Sequence, residues 1–201
     1  MSAQTIEEPL VEPERFERLP YAQDWTVADL DRLPEDGHRY ELIDGVVHVS
    51  PSPSHKHQEV GNVLWSVLRA AAPPGLGVTT AVGVTIADDR YLIPDVLVVR
   101  GDHVRDGDFE AGEVLLAVEV VSKSTRSMDR WHKPHLYAAG AIPSYWRIEL
   151  EPLHLIAYEL DTTGAAGEEA EYVEVARVDA GQRFRTDTPF AVDFDPAELL
   201  P

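Results

Sequence analysis

YLIPDVLVV, residues 91–99, sets an acid, Asp95, in a run of mostly apolar, β-branched side chains. An aspartate in such company is expensive to bury without a partner. LLAVEVVS, residues 115–122, repeats the arrangement with Glu119. Both stretches are nearly continuous in hydrophobicity, as central strands covered on two faces are. For either acid alone, a salt bridge or a position at a strand end explains its presence. For the pair, each followed by a hydrophobic run, a shared site is the better reading. On neighbouring strands the two carboxylates converge at one rim and offer hard oxygen ligands to a divalent cation.

Around this centre the pattern alternates between strands and helices. RYELIDGVVHVSP, residues 39–51, places apolar residues on both sides of Asp44-Gly45 and predicts a hairpin from Tyr40 to Val49. His57 to Ala72 has an apolar stripe at helical spacing, closed by Pro73-Pro74-Gly75. Strands are expected at 77–86, 92–99 and 114–121, then a helix with Pro134 in its first turn and Gly140 just past its end. SYWRIEL, 144–150, returns as a strand. LHLIAYEL and EYVEVARV, 153–160 and 171–178, form a hairpin across a Gly- and acid-rich connection. Near the N-terminus, Thr26 caps a short helix that Pro34 ends. The sum is one α/β domain over residues 21–201 with a core at 38–150, preceded by a mobile arm at 1–20.

The chain has 201 residues, no cysteine and a net charge of −19. Disulfides and thiolate metal sites are excluded, so oxygen or imidazole must hold any metal. No apolar run reaches the length of a membrane span and the N-terminus lacks a signal pattern, so a cytoplasmic protein is expected. The negative charge argues against a phosphate-backbone partner, but it is uneven. Residues 1–37 carry −7 and 148–201 carry −10, against −2 for 38–147. Within that middle, over residues 123–147, Lys123, Arg126, Arg130, Lys133 and Arg147 face only Asp129, a local foothold for a polyanion.

The phrases RYELIDGVVHVSPSPSHKHQ (39–58), YLIPDVLVV (91–99) and AVEVVSKSTRSMDRWHKPHLYAAGAIPSYWRIE (117–149) occur in an order that resembles the Uma family of restriction endonucleases, within the PD-(D/E)XK superfamily. The resemblance implies a restriction-endonuclease-like fold: a mixed β-sheet core flanked by helices, here with an added C-terminal β-hairpin. It also implies hydrolysis of DNA phosphodiester bonds with Mg²⁺ or Mn²⁺. Carried over by position, the metal-binding acids are Asp95, Glu119 and Glu41, the last either a ligand or a structural acceptor of backbone hydrogen bonds. A homodimer suits the cutting of two strands.

In the simplest form of that motif a lysine follows the second acid by two residues on the same strand face. Here the position holds Val121, which has no proton to donate. Of the three lysines, Lys133 resembles a lysine that has migrated to the next helix, and Lys123, which keeps the strand parity, is the second choice. His57, Ser122, Arg126 and Arg130 are candidate nucleic-acid contacts, although Ser122 equally suits a cap. The pairs His55/His57 and His132/His135 lack further ligands at zinc spacing. Tyr137, Tyr145 and Trp146 read as packing residues. Two other functions fit the same carboxylates: a non-catalytic binding protein that keeps the fold, and a hydrolase of a small phosphorylated molecule.

Overall fold

The computed structural model describes residues 24–50, 52–101, 107–122, 126–163 and 170–200. The expected arm at 1–20, the candidate Lys123, Ser124, Thr125 and residues 164–169 lie outside them.

Arg39–Ile43 (β1) and Val46–Ser50 (β2) form the antiparallel hairpin announced by Asp44-Gly45, with Ile43 opposite Val46. Both turn residues have positive φ, 49° and 73°, which a tight two-residue turn needs to match the twist of its strands. Val27–Arg32 is a 3-10 turn capped by Thr26, and Leu33 ends it before Pro34. His55–Ala71 (α1) begins at Ser54, whose hydroxyl accepts from His57 N. Its stripe of Val60, Leu64 and Leu68, at a spacing of four, is fully buried.

The main sheet has six strands. Leu76–Thr80 (β3) lies at one edge, followed by Val96–Arg100 (β6) and Val114–Val121 (β8). Ser144–Leu150 (β9), Leu153–Asp161 (β10) and Glu171–Asp179 (β11) complete it. Among the described residues of this sheet only β8 and β9 run parallel; Lys133–Ala139 (α2) lies in the crossover between them. Val84–Ala87 (β4), Arg90–Leu92 (β5) and Phe109–Glu110 (β7) join the first hairpin in a second sheet, ordered β2-β1-β5-β4-β7. The predicted hairpin of 153–160 and 171–178 is β10–β11, and a small hairpin, Phe184–Thr186 (β12) with Val192–Phe194 (β13), follows it.

Alternation divides the central strands between two cores. Val96 and Val98 of β6 and Leu116, Val118 and Val120 of β8 meet α1 and the C-terminal aromatics Phe184 and Phe194. Leu97 and Ala117 face the other way, toward Ile43, Leu92, Leu136 and Tyr137. Glu119 has the parity of Ala117, so its side chain leaves β8 on the side of α2 and the hairpin sheet.

Two stretches read as single strands each divide between the sheets. The 77–86 stretch breaks at Ala81, with φ 53°, and the 92–99 stretch breaks at Pro94-Asp95, where proline has no N–H for a ladder. The two breaks touch: Ala81 N donates to Asp95 O at 3.3 Å. After α2 the left-handed residue is Ala141 (φ 55°), while Gly140 keeps φ −77°. Gly140 answers a packing demand instead, since a Cβ there would lie 3.1 Å from Ala111 Cβ. No described helix is long and apolar enough to cross a membrane.

Because the turn fixes the register that places Glu41, Gly45→Ala should lower unfolding free energy by about 1–2 kcal/mol, the strain of a left-handed residue bearing a Cβ. Urea unfolding monitored by circular dichroism measures it, and unchanged stability would mean that the turn tolerates a side chain.

Candidate active site

Four elements bring charge to one point. β1 supplies Glu41, β8 supplies Glu119, the π-helical turn Met128–His132 supplies Asp129, and the first residue of α2 supplies Lys133. All four side chains are at least nine-tenths buried. The Lys133 Nζ lies 2.9 Å from Glu41 Oε1, 2.9 Å from Glu119 Oε1 and 3.8 Å from Asp129 Oδ1. Asp129 and Lys133, four residues apart, project to the same side, whereas Trp131 and His132 between them are exposed.

Burial by itself would strip Lys133 of its proton, but the negative charges of Glu119, Glu41, Asp129 and Asp95 outweigh it and lift the ammonium above the ordinary lysine value. Lys133 is therefore a fixed cation and a donor. Glu119 meets the opposite balance: burial and the repulsion of Asp129, Asp95 and Glu41 exceed the attraction of one shared ammonium, so its pKa is raised. Burial also disfavours charge on Glu41, yet Lys133, the Ile93 amide and Ser50 hold its carboxyl below the usual range.

The hydrogen bonds separate the acids into different roles. Both oxygens of Glu41 are engaged, Oε1 by Lys133 and by Ile93 N at 3.0 Å, Oε2 by the Ser50 hydroxyl at 2.8 Å. Glu119 Oε1 accepts from Lys133 and from the Tyr137 hydroxyl at 2.5 Å, while among the described residues none donates to Oε2. Asp95 sits just before β6. Its Oδ2 accepts from Val120 N at 2.8 Å and lies 3.1 Å from His57 Nε2; its Oδ1 has Arg39 Nη1 at 3.7 Å. Glu41, Asp95, Glu119, Asp129, Lys133 and His57 all line one cavity of about 520 Å³.

A divalent cation suits this donor set. The cluster has more carboxylates than cations, its donors are hard oxygens, and among the described residues none donates a hydrogen bond to Asp95 Oδ1 or Glu119 Oε2, although Arg39 lies 3.7 Å from the former. Among the described residues no three acid or imidazole side chains form a ready chelate. Mg²⁺ does not demand one, because it keeps several waters and is often held by one or two carboxylates with substrate phosphate.

The structure thus brings Glu41, Asp95, Glu119 and Lys133 together. Val121 also lines the cavity, and the Lys133 ammonium reaches Glu119 from α2 rather than from the strand. His57, Ser122 and Arg126 line the same cavity. Arg130 does not: it makes a two-pronged pair with Glu149, both bonds 2.7 Å, and faces a neighbouring cleft. Of the expected basic foothold, Lys133 is buried and Arg147, like Arg130, lies against Glu149, at 3.2 Å, while Arg126 is exposed and Lys123 lies outside the described residues. Trp146, Tyr145 and Tyr137 are core residues as expected. Asp129 and the Tyr137 hydroxyl are members of the site that the sequence reading missed; the spacing of four between Asp129 and Lys133 was the available signal.

The chain matches the Uma2 family, described as "Putative restriction endonuclease", over residues 27–192. No curated protein matches it. A crystal structure described as "a putative nuclease belonging to DUF820", from Anabaena variabilis ATCC 29413, superposes with a TM-score of 0.66 at 17% identity, covering 87% of this chain and 96% of that one. The restriction-endonuclease-like architecture expected from the sequence is the architecture found.

The raised pKa of Glu119 has a measurable sign. Above the ordinary glutamate range the folded protein keeps a proton that the unfolded chain has released, so stability falls as pH rises through that window. In chelator, Glu119→Gln should show a shallower decline between mildly acidic and neutral pH than wild type. Urea unfolding across pH tests this, and parallel curves would mean that Glu119 titrates normally.

Proposed function

The chain belongs to the Uma2 family of restriction-endonuclease-like proteins, and from that premise we propose that its cavity hydrolyses DNA phosphodiester bonds with a bound divalent cation, Mg²⁺ or Mn²⁺. The observation that carries the reading is the buried Lys133 ammonium held between Glu41 and Glu119, beside the open oxygens of Asp95 and Glu119. Asp95 and Glu119 would hold the cation, which when bound neutralises phosphate charge and makes water more acidic.

The remaining roles belong to the protein's own atoms. Two N–H bonds of Lys133 point to Glu41 and Glu119, and with Asp129 Oδ1 3.8 Å away, beyond hydrogen-bond distance, the third can serve a non-bridging phosphate oxygen or the attacking water. Lys133 acts by donation, because its neighbours keep it protonated. Glu41 is a positioning residue, holding the lysine through an oxygen that the Ile93 amide also binds. The Tyr137 phenol, whose proton burial and Glu119 retain, fixes Glu119 Oε1 and so turns the other oxygen toward the cavity. His57 and Val120 N orient Asp95 in the same manner.

Cleavage of supercoiled and linear DNA with Mg²⁺ or Mn²⁺ tests the proposal. Asp95→Asn and Glu119→Gln should abolish cutting, and Lys133→Gln should reduce it by roughly 10²–10³, the usual loss for one transition-state donor. Lys123→Ala should cut as wild type does. Melting curves must show each variant folded. Cutting that survives chelation, or survives both acid variants, would overturn the assignment.

A further inference from the structure

A second cleft of about 530 Å³ opens beside the catalytic cavity, and Glu149 lines both. Its lining includes Arg130, Trp131, His135, Arg147, Tyr158 and Arg177. Trp131 is 68% exposed, the most exposed large apolar side chain among the described residues. It sits two residues before Lys133, on the π-helical turn that sends Asp129 and Lys133 inward. An indole in water beside a built cleft is a surface awaiting a flat ligand.

The surrounding charges say which ligand. Arg130 and Arg147 are held by Glu149, and Arg177 by Glu174 at 2.6 Å, so each arginine is already paired. With Glu149, Glu171 and Glu174 set against three arginines, the cleft is close to neutral in a protein of net charge −19, so an anionic backbone meets less repulsion there than at the acidic flanks. Arg147 also lies over the Tyr158 ring, 5.6 Å from its centroid, adding a second stack of planar groups. Stacking on aromatic and guanidinium faces is a sequence-tolerant way in which proteins hold unpaired bases.

Resting on the nuclease reading above, we propose that this cleft holds an unpaired nucleobase of the strand being cut, stacked on Trp131, with the adjoining phosphate passing Glu149 into the catalytic cavity. The occupant is single-stranded polynucleotide, whose base a duplex would keep inside its own stack.

Binding is read without cutting in the Glu119→Gln chain with Mg²⁺, using labelled DNA of about 12 nucleotides as a single strand and as a blunt duplex. Single-strand binding should quench tryptophan fluorescence, because Trp25 and Trp146 are buried and the Trp65 indole already donates to Val78 O. Adding Trp131→Ala should weaken single-strand binding about tenfold or more, with Trp131→Phe restoring most of it. Blunt-duplex binding and melting temperature should not change. Equal single-strand affinity with and without Trp131, or an equal loss for both DNA forms, overturns the subsite while the cutting assay leaves the nuclease reading standing. If the parent binds neither form and the wild type cuts nothing, the nuclease reading fails and the subsite fails with it.

Discussion

An ammonium buried among carboxylates is the constraint on which the other features depend. A lone lysine in this position would lose its proton, and a lone glutamate would gain one. Together Lys133 and Glu41 hold each other charged, but only while Glu41, Glu119 and Lys133 stay within hydrogen-bond distance. That requirement reaches through the fold. It fixes the register of the first hairpin, the parity of β8, the first residue of α2 and the turn before it. Glu119 remains the strained member, because one ammonium is divided among several acids. A cation at its open oxygen would relieve the same excess that a proton relieves in its absence.

The lysine's origin on a helix follows from strand geometry. A residue two positions after Glu119 shares its face, but Val121 occupies that place and closes the cavity wall. α2 starts in the β8–β9 crossover, so its first residue lies above the end of β8 and can deliver an ammonium to Glu119 from outside the sheet. The π-helical turn Met128–His132 matters here. Wide turns of this type are common at functional sites, and this one buries Asp129 and Lys133 while leaving Trp131 in solvent.

Much of this was legible in the sequence because it rested on local signals. Asp44-Gly45 specifies its turn by φ alone, the α1 stripe by spacing, and Asp95 and Glu119 by the cost of placing acids in apolar strands. Features that depend on distant partners were less visible. Whether a β-rich run is one strand or two is decided where the sheets meet, and Ala81, an ordinary residue in sequence, takes a left-handed conformation there. The basic segment is only partly open for a related reason: Glu149, just beyond it in sequence, pairs with Arg130 and Arg147 once β9 returns beside β8. A count of charges along the chain does not record which cations are already engaged.

That engagement changes how an acidic protein would approach DNA. Backbone affinity normally comes from cations releasing condensed counterions, and here only part of the positive charge is open to a strand, the cavity-lining Arg39, Lys56 and Arg126 among it. Lys133 is internal, Arg130, Arg147 and Arg177 are paired, and the flanks are strongly acidic. On the proposed reading much of the contact energy would come from terms that need no net positive charge: phosphate oxygens bound at a cation in the cavity, and base stacking on exposed aromatic surface. Both act over short distances and are satisfied only when the strand lies in the cavity, so such a protein gains little on undistorted duplex. On the proposed reading the acidic surface would select against casual binding, while the buried lysine and its carboxylates would act on a strand that has been brought to them.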